Sequence, residues 1–318
     1  MKEIGGYFEL ELGAKQKSLF PPNAVYVNSG RNAFEYIIKS LPKINKIWMP
    51  YFTCSSLQEP LQRLNLDVCY YHISEQLEIA NLDAIKIAQN DYLLYTNYFG
   101  VKEQYAQTLS MKFGNQLIID NSQALFARPT ELCFYSPRKF VGTPDGGVAF
   151  SPYKMDINEQ DRSSFLRFTH LLKRFDHSAS EGYSDFKLSN QMISNQPLLE
   201  MSNLTKNILE TIDFEKVKKQ RTQNFALLHQ HLKHRNQLTL DNGIVGALIY
   251  PYFNLEGANF KKELIKNKIY VATYWPNVLL SEPKESAEYK LANLLVNLPI
   301  DQRYSDEDMF EISKIIIG

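Results

Sequence analysis

Residues 133–147 read Cys-Phe-Tyr-Ser-Pro-Arg-Lys-Phe-Val-Gly-Thr-Pro-Asp-Gly-Gly. A short apolar strand predicted at Leu132–Tyr135 leads towards Lys139, and the closing glycine pair leads into another predicted strand at Val148–Ser151. Two apolar residues follow Lys139 directly. A lysine amine that is partly removed from water loses some of its preference for the charged state and becomes a usable nucleophile. Taken alone, the segment also fits a solvated surface lysine before a turn.

Short apolar runs alternate with helix-like segments through the first half of the chain, which predicts an α/β fold with a largely parallel sheet. The predicted strands are Ala24–Asn28, Lys46–Met49, Val68–Ile73, Tyr92–Thr96, Gln116–Asp120, Leu132–Tyr135 and Val148–Ser151. The predicted helices between them are Arg31–Leu41, Ser55–Leu64 and Glu103–Phe113. Each strand ends in polar or small residues, which is where the loops of α/β enzymes place their chemistry.

The second half is organised differently. Apolar positions at three- and four-residue spacing predict helices over residues 158–175 and 198–235, and His177–Gln196 between them is polar and irregular, as in an exposed or partner-contacting loop. A compact unit is predicted from residue 236, with a turn signal at Asn242-Gly243. Its predicted strands are Gly246–Tyr250, Ile269–Ala272 and Val296–Leu298, and its predicted helices are Asn259–Lys266, Ser286–Leu295 and Ser305–Ile316.

The composition is that of an ordinary globular protein, with 44% hydrophobic residues, 22% charged residues and a formal net charge of zero. A zero net charge creates no global field that favours nucleic acid or an anionic membrane. No run of about 18 apolar residues predicts a transmembrane helix, and the acidic start of the chain lacks the apolar stretch of a signal peptide. Three cysteines without CxxC spacing predict neither a metal site nor a disulfide framework, so a reducing cytoplasm is the expected compartment.

A second informative segment is Ser29-Gly30-Arg31, where a predicted strand passes into a helix. A helix start presents free N–H groups and a partial positive charge, which bind phosphate well. Ser29 and Gly30 allow close approach of the backbone, and Arg31 can add a charge-assisted contact. On its own, the segment fits an ordinary capped helix start better.

A third segment is the apolar strand that delivers Asp120 to its C-terminal end, followed by Asn121, Ser122 and Gln123. A carboxylate in that position can hold a protonated ring nitrogen, and Gln123 can hydrogen-bond a neighbouring ring oxygen. In isolation, a helix or turn cap formed by Asp120 explains the segment more simply.

The order and spacing of these segments resemble the DegT/DnrJ/StrS family of pyridoxal 5′-phosphate (PLP)-dependent sugar aminotransferases. Ser29-Gly30-Arg31 corresponds to the family's Ser-Gly-Thr helix start, and Asp120–Gln123 corresponds to its strand end Asp-Ala-Ala-Gln. Lys139, followed by Asp145-Gly146-Gly147, corresponds to the family's lysine ahead of an acidic residue and Gly-Gly. Leu298-Pro299, followed by Ser305–Asp308, corresponds to its Leu-Pro step before an acidic helix. Met49–Thr53 resembles the Pro-x-x-Thr of the family's second strand. The match covers almost the whole chain, and the lysine segment is its most specific part.

This resemblance implies roles for particular residues. Lys139 would form the Schiff base with PLP and move the proton during transfer, and Asp120 would pair with the pyridine nitrogen. Gln123 would lie near the ring oxygen. The phosphate would lie at Gly30 and Arg31, with Ser29 beside them and Ser136 as the nearest serine to the position of a family phosphate ligand.

The same resemblance implies fold type I, the aspartate-aminotransferase fold. In that fold a large PLP-binding domain contains a mostly parallel seven-stranded sheet flanked by helices, and a small C-terminal α+β domain follows it. We place the large domain at residues 1–235 and the small domain at residues 236–318. A homodimer with shared active sites is implied as well. The partners expected from the resemblance and the composition are small molecules, with no nucleic acid and no membrane.

The sequence departs from the family around the phosphate and the substrate. Arg31 replaces the family's threonine, and Cys54 occupies a position that usually carries an aromatic side chain able to stack on the pyridine ring. Phe134 lies five residues before the lysine, where the family has a phosphate-binding serine. The Asn-Tyr-Arg loop of the family has no clear copy, and the region to search for it is 182–201.

Three functions remain compatible with the sequence. The leading hypothesis is transfer of an amino group from an amino acid such as glutamate to a keto sugar, with a nucleotide-linked keto sugar as the expected substrate. The second is another PLP reaction on a different small carbonyl compound. Dehydration is disfavoured, because the dehydratase branch of the family has histidine in place of the lysine, and this chain has Lys139. The third is a non-catalytic scaffold that keeps the fold. A Rossmann nucleotide binder is disfavoured because no GxGxxG follows the first strand.

Overall fold

Seven strands form one sheet in the residues that the computed structural model describes, 6–241 and 243–318. They are β1 (Val25–Val27), β2 (Lys46–Pro50), β3 (Asp67–Tyr71), β4 (Asp91–Thr96), β5 (Leu117–Asp120), β6 (Cys133–Tyr135) and β7 (Gly147–Phe150). The order across the sheet is β1-β7-β6-β5-β4-β2-β3. Strand β7 is antiparallel to both of its neighbours, and the other pairs are parallel. Each of the seven predicted strands is therefore found, with ends displaced by at most two residues.

The central strands are apolar because both faces of the sheet are covered, as parallel sheets require. All six residues of β4 are buried. Leu94 points to one face, where it belongs to a core cluster with Phe34 of the first helix. Leu93 and Tyr95 point to the other face and belong to the larger core cluster. This continuous burial fixes the register of the strands. Because every strand except β7 runs in the same direction, the C-terminal ends of these strands meet along one edge.

Eleven α-helices accompany the strands in the described ranges. They are α1 (Gly30–Ser40), α2 (Gln58–Arg63), α3 (Glu103–Phe113), α4 (Thr169–Asp176), α5 (Tyr183–Ile193), α6 (Asn203–Glu210), α7 (Phe214–Leu232), α8 (Gly257–Lys266), α9 (Val278–Ser281), α10 (Ala287–Leu294) and α11 (Asp306–Ile317). None of the helices described combines the length and the hydropathy that crossing a membrane requires.

The middle of the chain differs from the sequence prediction in three places. Of the helix predicted over 158–175, only a 3₁₀ turn (Ser164–Arg167) and α4 are helical, because Gln160 and Asp161 pair with the backbone of Glu200 instead. The region expected to be an irregular loop contains helix α5, so that prediction was wrong. Only Ser189 and Ile193 of α5 are buried, and such a helix leaves little apolar periodicity in the sequence. The predicted helix over 198–235 is divided into α6 and α7, because Asp213 caps the start of α7 through the Lys216 amide.

The C-terminal part contains a second sheet, in which β8 (Ile249–Phe253) pairs antiparallel with β9 (Leu295–Pro299). The strand predicted at 269–272 is absent from the described residues apart from a single bridge between Ala272 and Asn297. Both sheets contribute to one continuous apolar cluster, and a division at residue 235 stays a prediction. Of the predicted turn at 242–243, Asn242 lies outside the described residues.

Candidate active site

Lys139 ends a 3₁₀ turn (Pro137–Lys139) that follows β6, the central strand between β5 and β7. Solvent reaches the side chain through three cavities that it borders. Its amine donates a hydrogen bond to the Ser122 hydroxyl, with 2.9 Å between Nζ and Oγ. The amine is nevertheless surrounded closely enough by protein that desolvation lowers the pKa of Lys139, and the negative charge of Asp120 opposes this effect.

Asp120 is the last residue of β5 and is 3% exposed. Its Oδ1 accepts the Ser122 amide at 2.8 Å, and its Oδ2 lies 3.5 Å from the Thr96 hydroxyl. Burial raises the pKa of the Asp120 carboxyl, while the positive charge of Lys139 and the bonds from Ser122 and Thr96 lower it. Ser122 thus connects the predicted nucleophile to the predicted acidic partner.

Six of the predicted site residues line one cavity of roughly 440 Å³ between the end of β5, the lysine turn and the start of α1. They are Ser29, Gly30, Arg31, Asp120, Ser136 and Lys139. The seventh, Gln123, does not line this cavity. It is fully buried, its Oε1 accepts the Phe99 amide at 3.2 Å, and its Nε2 has no partner among the described residues.

The start of α1 forms one end of this cavity. The Ser29 hydroxyl caps the helix by accepting the Asn32 amide at 3.2 Å. Gly30 has to be small, because a Cβ there would lie 3.0 Å from the Cβ and 3.1 Å from the Oγ of Ser136. Gly147 is even more restricted, since a Cβ would lie 2.1 Å from the Ser29 carbonyl oxygen. The glycine pair after the lysine thus lets β7 approach the helix start closely.

Asp145 fixes the loop between Lys139 and this glycine pair. Its carboxylate is fully buried and accepts hydrogen bonds from Arg167, Ser164 and Thr205. Arg167 also bonds Asp161, so one guanidinium bridges two carboxylates. The acidic residue before the glycine pair is therefore a structural anchor of the loop.

Several further residues of this cavity, among them Ser122, Arg138, Asn190 and Trp275, received no site role from the sequence prediction. Ser122 was inside a quoted motif but received no role, and Arg138 was overlooked beside the lysine. Trp275, from the C-terminal part, forms another wall together with Cys54. Asn190 comes from the unpredicted helix α5, which lies in the region 182–201 named above as the place to search for a copy of the family's Asn-Tyr-Arg loop. Only the adjacency of Arg138 to Lys139 gave a signal that could have been used.

A second cavity, of roughly 550 Å³, lies on the side of Lys139 that faces the C-terminal part. Arg221 and Tyr274 line it, together with the bidentate pair Asp301–Arg303, whose N–O distances are 2.7 and 2.8 Å. Arg221 donates to the carbonyls of Phe140 and two residues before β8, so it links the lysine loop to the second sheet. Lys139 therefore borders this cavity as well as the one at the start of α1.

One possible cation site lies outside these cavities. His72, Glu282 and Glu288 place one ligand atom each within 4.8 Å of one another. In the structure the buried Glu288 carboxylate accepts the Ile73 amide at 2.8 Å and contacts His72 Nδ1 at 3.1 Å. These bonds connect the segment that follows β3 to α10.

The cavity around Lys139 fits PLP in its chemistry. Lys139 supplies an amine with a lowered pKa, and Asp120 is a buried carboxylate at the opposite side of Ser122. The space beside Gly30 would be filled by any Cβ. The amine can react with the aldehyde of PLP, the carboxylate can pair with the ring nitrogen, and the helix start can bind the phosphate.

Comparison with solved structures identifies the fold. A sugar aminotransferase from Micromonospora echinospora matches 93% of this chain and 87% of its own, with a TM-score of 0.63 and 14% identity. A DegT DnrJ EryC1 StrS aminotransferase from Brucella abortus matches 93% and 85%, with a TM-score of 0.60 and 13% identity. GDP-4-keto-6-deoxymannose-3-dehydratase, solved with a trapped PLP-glutamate geminal diamine, matches 92% and 87%, with a TM-score of 0.61 and 14% identity.

Comparisons by sequence give no match: no family model fits the chain, and no curated protein is similar to it. The chain has the fold of PLP-dependent sugar aminotransferases, as the resemblance in the sequence predicted. Since aminotransferases and a dehydratase share this fold, the fold does not select the reaction.

Proposed function

We propose that this chain is a PLP-dependent aminotransferase that transfers an amino group from an amino acid, with glutamate as the expected donor, to a nucleotide-linked keto sugar. The observation that supports this most directly is the connection from Lys139 through Ser122 to Asp120 inside one cavity. In the reaction the amino acid would leave as a keto acid and the keto sugar would leave as an amino sugar. Electrons and atoms balance without a further oxidant or reductant.

When bound, PLP supplies an electron sink for the pair of electrons left on the substrate carbon when its proton departs. Lys139 would attach the cofactor and then, once released, carry the proton between the substrate carbon and the cofactor. Its lowered pKa suits both tasks, because a neutral amine is needed to attack a carbonyl and to accept a proton. Asp120 would hold the ring nitrogen protonated, which requires the carboxylate to be charged.

The remaining predicted residues are proposed to position the cofactor. Ser29, Gly30, Arg31 and Ser136 lie together at one end of the cavity, which supports a phosphate site there. Gln123 does not line this cavity, so its predicted role at the ring oxygen is supported only by its unpartnered Nε2. Because Gln123 Oε1 is already bound by Phe99, the amide has a fixed orientation in which the amino group remains available.

We also propose a homodimer in which the second copy covers the apolar surface of residues 165–188. Phe175 is 91% exposed and Phe165 is 64% exposed in the single chain. Large apolar side chains so exposed are typical of an interface when they cluster. Phe175 and Leu172 line a cavity that also contains Lys139, so a covering subunit would lie next to the active site. Sedimentation velocity measures whether the chain is a dimer.

A second candidate function is a PLP reaction on another small carbonyl compound. Cys54 lines the cavity where relatives have a stacking aromatic side chain, which supports a changed substrate or ring environment. Comparing turnover with nucleotide-linked keto sugars and with plain keto acids separates the two candidates. Turnover of keto acids alone would favour the second.

The first experiment is the visible spectrum of the purified protein with added PLP, compared with that of Lys139→Ala. We expect an absorbance band for the wild type and none for the variant. Borohydride reduction followed by mass spectrometry of the peptides should place the cofactor on Lys139. Adding glutamate should then convert the band to that of the pyridoxamine form.

Two results would contradict the proposal. A wild-type protein that shows no band at saturating PLP would favour the non-catalytic scaffold. A band that persists in Lys139→Ala, with the label on another lysine, would show that the site is elsewhere.

A further inference from the structure

Two arginines line the cavity near the start of α1, and they differ in their partners. The Arg31 guanidinium is bonded to the Glu59 carboxylate and lies 3.3 Å from the Ser194 hydroxyl. Arg138 donates from Nη2 to the neutral Asn190 amide oxygen at 2.7 Å. Within the described residues, no carboxylate forms an ion pair with Arg138. Arg31 is therefore paired directly with a carboxylate, and Arg138 is not.

The surroundings of Arg138 make an unbalanced charge costly. Burial lowers the pKa of Arg138 to about 10. The negative charge of Asp145 opposes this effect, and the positive charges of Arg31 and Arg167 add to it. Asp145, however, is already bonded to Arg167. Arg138 therefore remains a cation at neutral pH, in a poorly solvated position with its nearest carboxylate shared. Such a group is stabilised by an anion that enters the cavity.

The atoms around Arg138 provide further ligands for an anion. Ser136 is 6% exposed, and its hydroxyl has no hydrogen-bond partner within the described residues. This hydroxyl lies at the position that a Cβ of Gly30 would crowd, next to the first turn of α1. A hydroxyl, a helix start and an uncompensated guanidinium thus border the same space.

We propose that Arg138 is the cationic ligand of the cofactor phosphate, and that Asn190 of α5 holds its guanidinium in place. This inference rests on the proposed function. A phosphate monoester carries a charge of about −1.5 to −2 at pH 7, and a guanidinium binds phosphate through parallel hydrogen bonds. Arg31 is paired with Glu59, and the pair adds no net charge. The cation for the phosphate would therefore be Arg138, which lies in the same turn as Lys139.

The test compares PLP with pyridoxal, which lacks the phosphate, by absorbance titration of the ligand-free protein. The wild type should prefer PLP. Arg138→Gln should reduce this preference by roughly 10- to 100-fold, the range expected for a charge-assisted hydrogen bond, while pyridoxal affinity stays the same. The comparison variant is Arg63→Gln, which also removes one guanidinium, but one that is paired with Glu35 and does not line the cavity. We expect it to alter the preference by less than about threefold.

A second measurement separates ligand binding from a structural role. If Arg138 awaits an anion, the ligand-free Arg138→Gln protein should melt at the same temperature as the wild type or higher. Inorganic phosphate should stabilise the wild type and leave the variant unchanged. Should Arg138→Gln fail to fold, Asn190→Ala removes only the bond that orients the guanidinium and is expected to weaken PLP but not pyridoxal.

The outcomes are distinguishable. If the wild type binds PLP through Lys139 but Arg138→Gln keeps the full preference for PLP over pyridoxal, only the role of Arg138 is overturned. A lower melting temperature of the ligand-free variant, with an unchanged preference, would give the residue a structural role instead. If the wild type binds neither compound, the proposed function and this inference both fail.

Discussion

Two clusters of charged residues flank the glycine-rich loop after Lys139, and they differ in how completely their polar atoms are paired. In the anchor cluster, Asp145 and Arg167 are fully buried, and hydroxyl groups and Asp161 satisfy their remaining bonding capacity. In the site cluster, Lys139 and Asp120 are bridged by Ser122 and open onto a cavity.

The difference shows how a buried charge can serve stability or ligand binding. A fully paired cluster holds one loop conformation, because separating any partner leaves an uncompensated charge in a dry environment. The site cluster has a lowered pKa at its amine and a raised pKa at its carboxyl, so neither charged form is well stabilised before a ligand enters. Groups whose pKa values are displaced in a cavity are typical of functional sites.

The largest expected effect on stability comes from breaking the anchor cluster. Arg167→Met should lower the free energy of unfolding by about 3–5 kcal/mol, the range observed when one partner of a buried ion pair is removed. Urea denaturation followed by circular dichroism measures it. Lys290→Met, which breaks the exposed pair with Glu75, is the control and should cost no more than about 1 kcal/mol.

Lys139→Met completes this comparison. It should not lower the stability of the ligand-free protein, because it removes an amine whose charged form is disfavoured by burial, while amino transfer should be lost. If Lys139→Met destabilised the fold as much as Arg167→Met, the distinction between the two clusters would be wrong.

A smaller effect is expected where the two clusters meet, at the glycine pair. Gly147→Ala would place its Cβ 2.1 Å from the Ser29 carbonyl oxygen, so β7 and the start of α1 must separate. We expect a loss of about 1–3 kcal/mol in stability, as for other overpacked positions, together with weaker PLP binding. Chemical denaturation and absorbance titration measure the two effects.

Gly142→Ala is the matched control in the same loop, since no atom lies within 4 Å of the position of its Cβ. It should leave both quantities close to those of the wild type. Equal effects of the two substitutions would indicate that loop flexibility, and not the approach of β7 to Ser29, sets the geometry of the site.

The strands of the large sheet were predictable because both faces are buried and the resulting apolar runs are bounded by polar residues. Strand β4, with six buried residues, is the clearest case. Helix α5 was not predictable, because only two of its residues are buried while Tyr183, Phe186 and Leu188 are exposed, so its apolar residues do not mark one buried face. The strand expected at 269–272 was predicted from a β-branched run, yet only Ala272 pairs with another strand.

The site was predictable where chemistry depends on sequence order, and not where it depends on contacts across the fold. Lys139 and Asp120 follow strands that are neighbours in a parallel sheet, so their convergence follows from topology. The pairing of Arg31 with Glu59 joins α1 to α2 and leaves no trace in either segment. For the same reason Arg138 could not be distinguished from Arg31 by sequence alone.

The smallest and most specific effect concerns the electrostatic interaction between Lys139 and Asp120, the two charged residues of the site cluster. The neutral form of Lys139 attacks the PLP aldehyde, so the rate of attachment rises with pH through the pKa of this amine. The negative charge of Asp120 raises that pKa against the effect of burial. Asp120→Asn removes the charge, and the midpoint of the pH–rate profile should therefore move to lower pH. Stopped-flow absorbance with excess PLP measures it.

The same substitution should act in the opposite direction on turnover. Attachment at neutral pH becomes faster, while amino transfer falls by roughly 10²- to 10⁴-fold, because the ring nitrogen loses the carboxylate that keeps it protonated. Ser122→Ala is the matched control, since it removes the hydroxyl that Lys139 contacts and leaves the charge of Asp120 in place. An unchanged midpoint in Asp120→Asn would mean that the carboxyl, whose pKa burial raises, is neutral while Lys139 titrates. It would then hold a ring nitrogen by donating its proton, and the site cluster would carry one charge fewer than proposed.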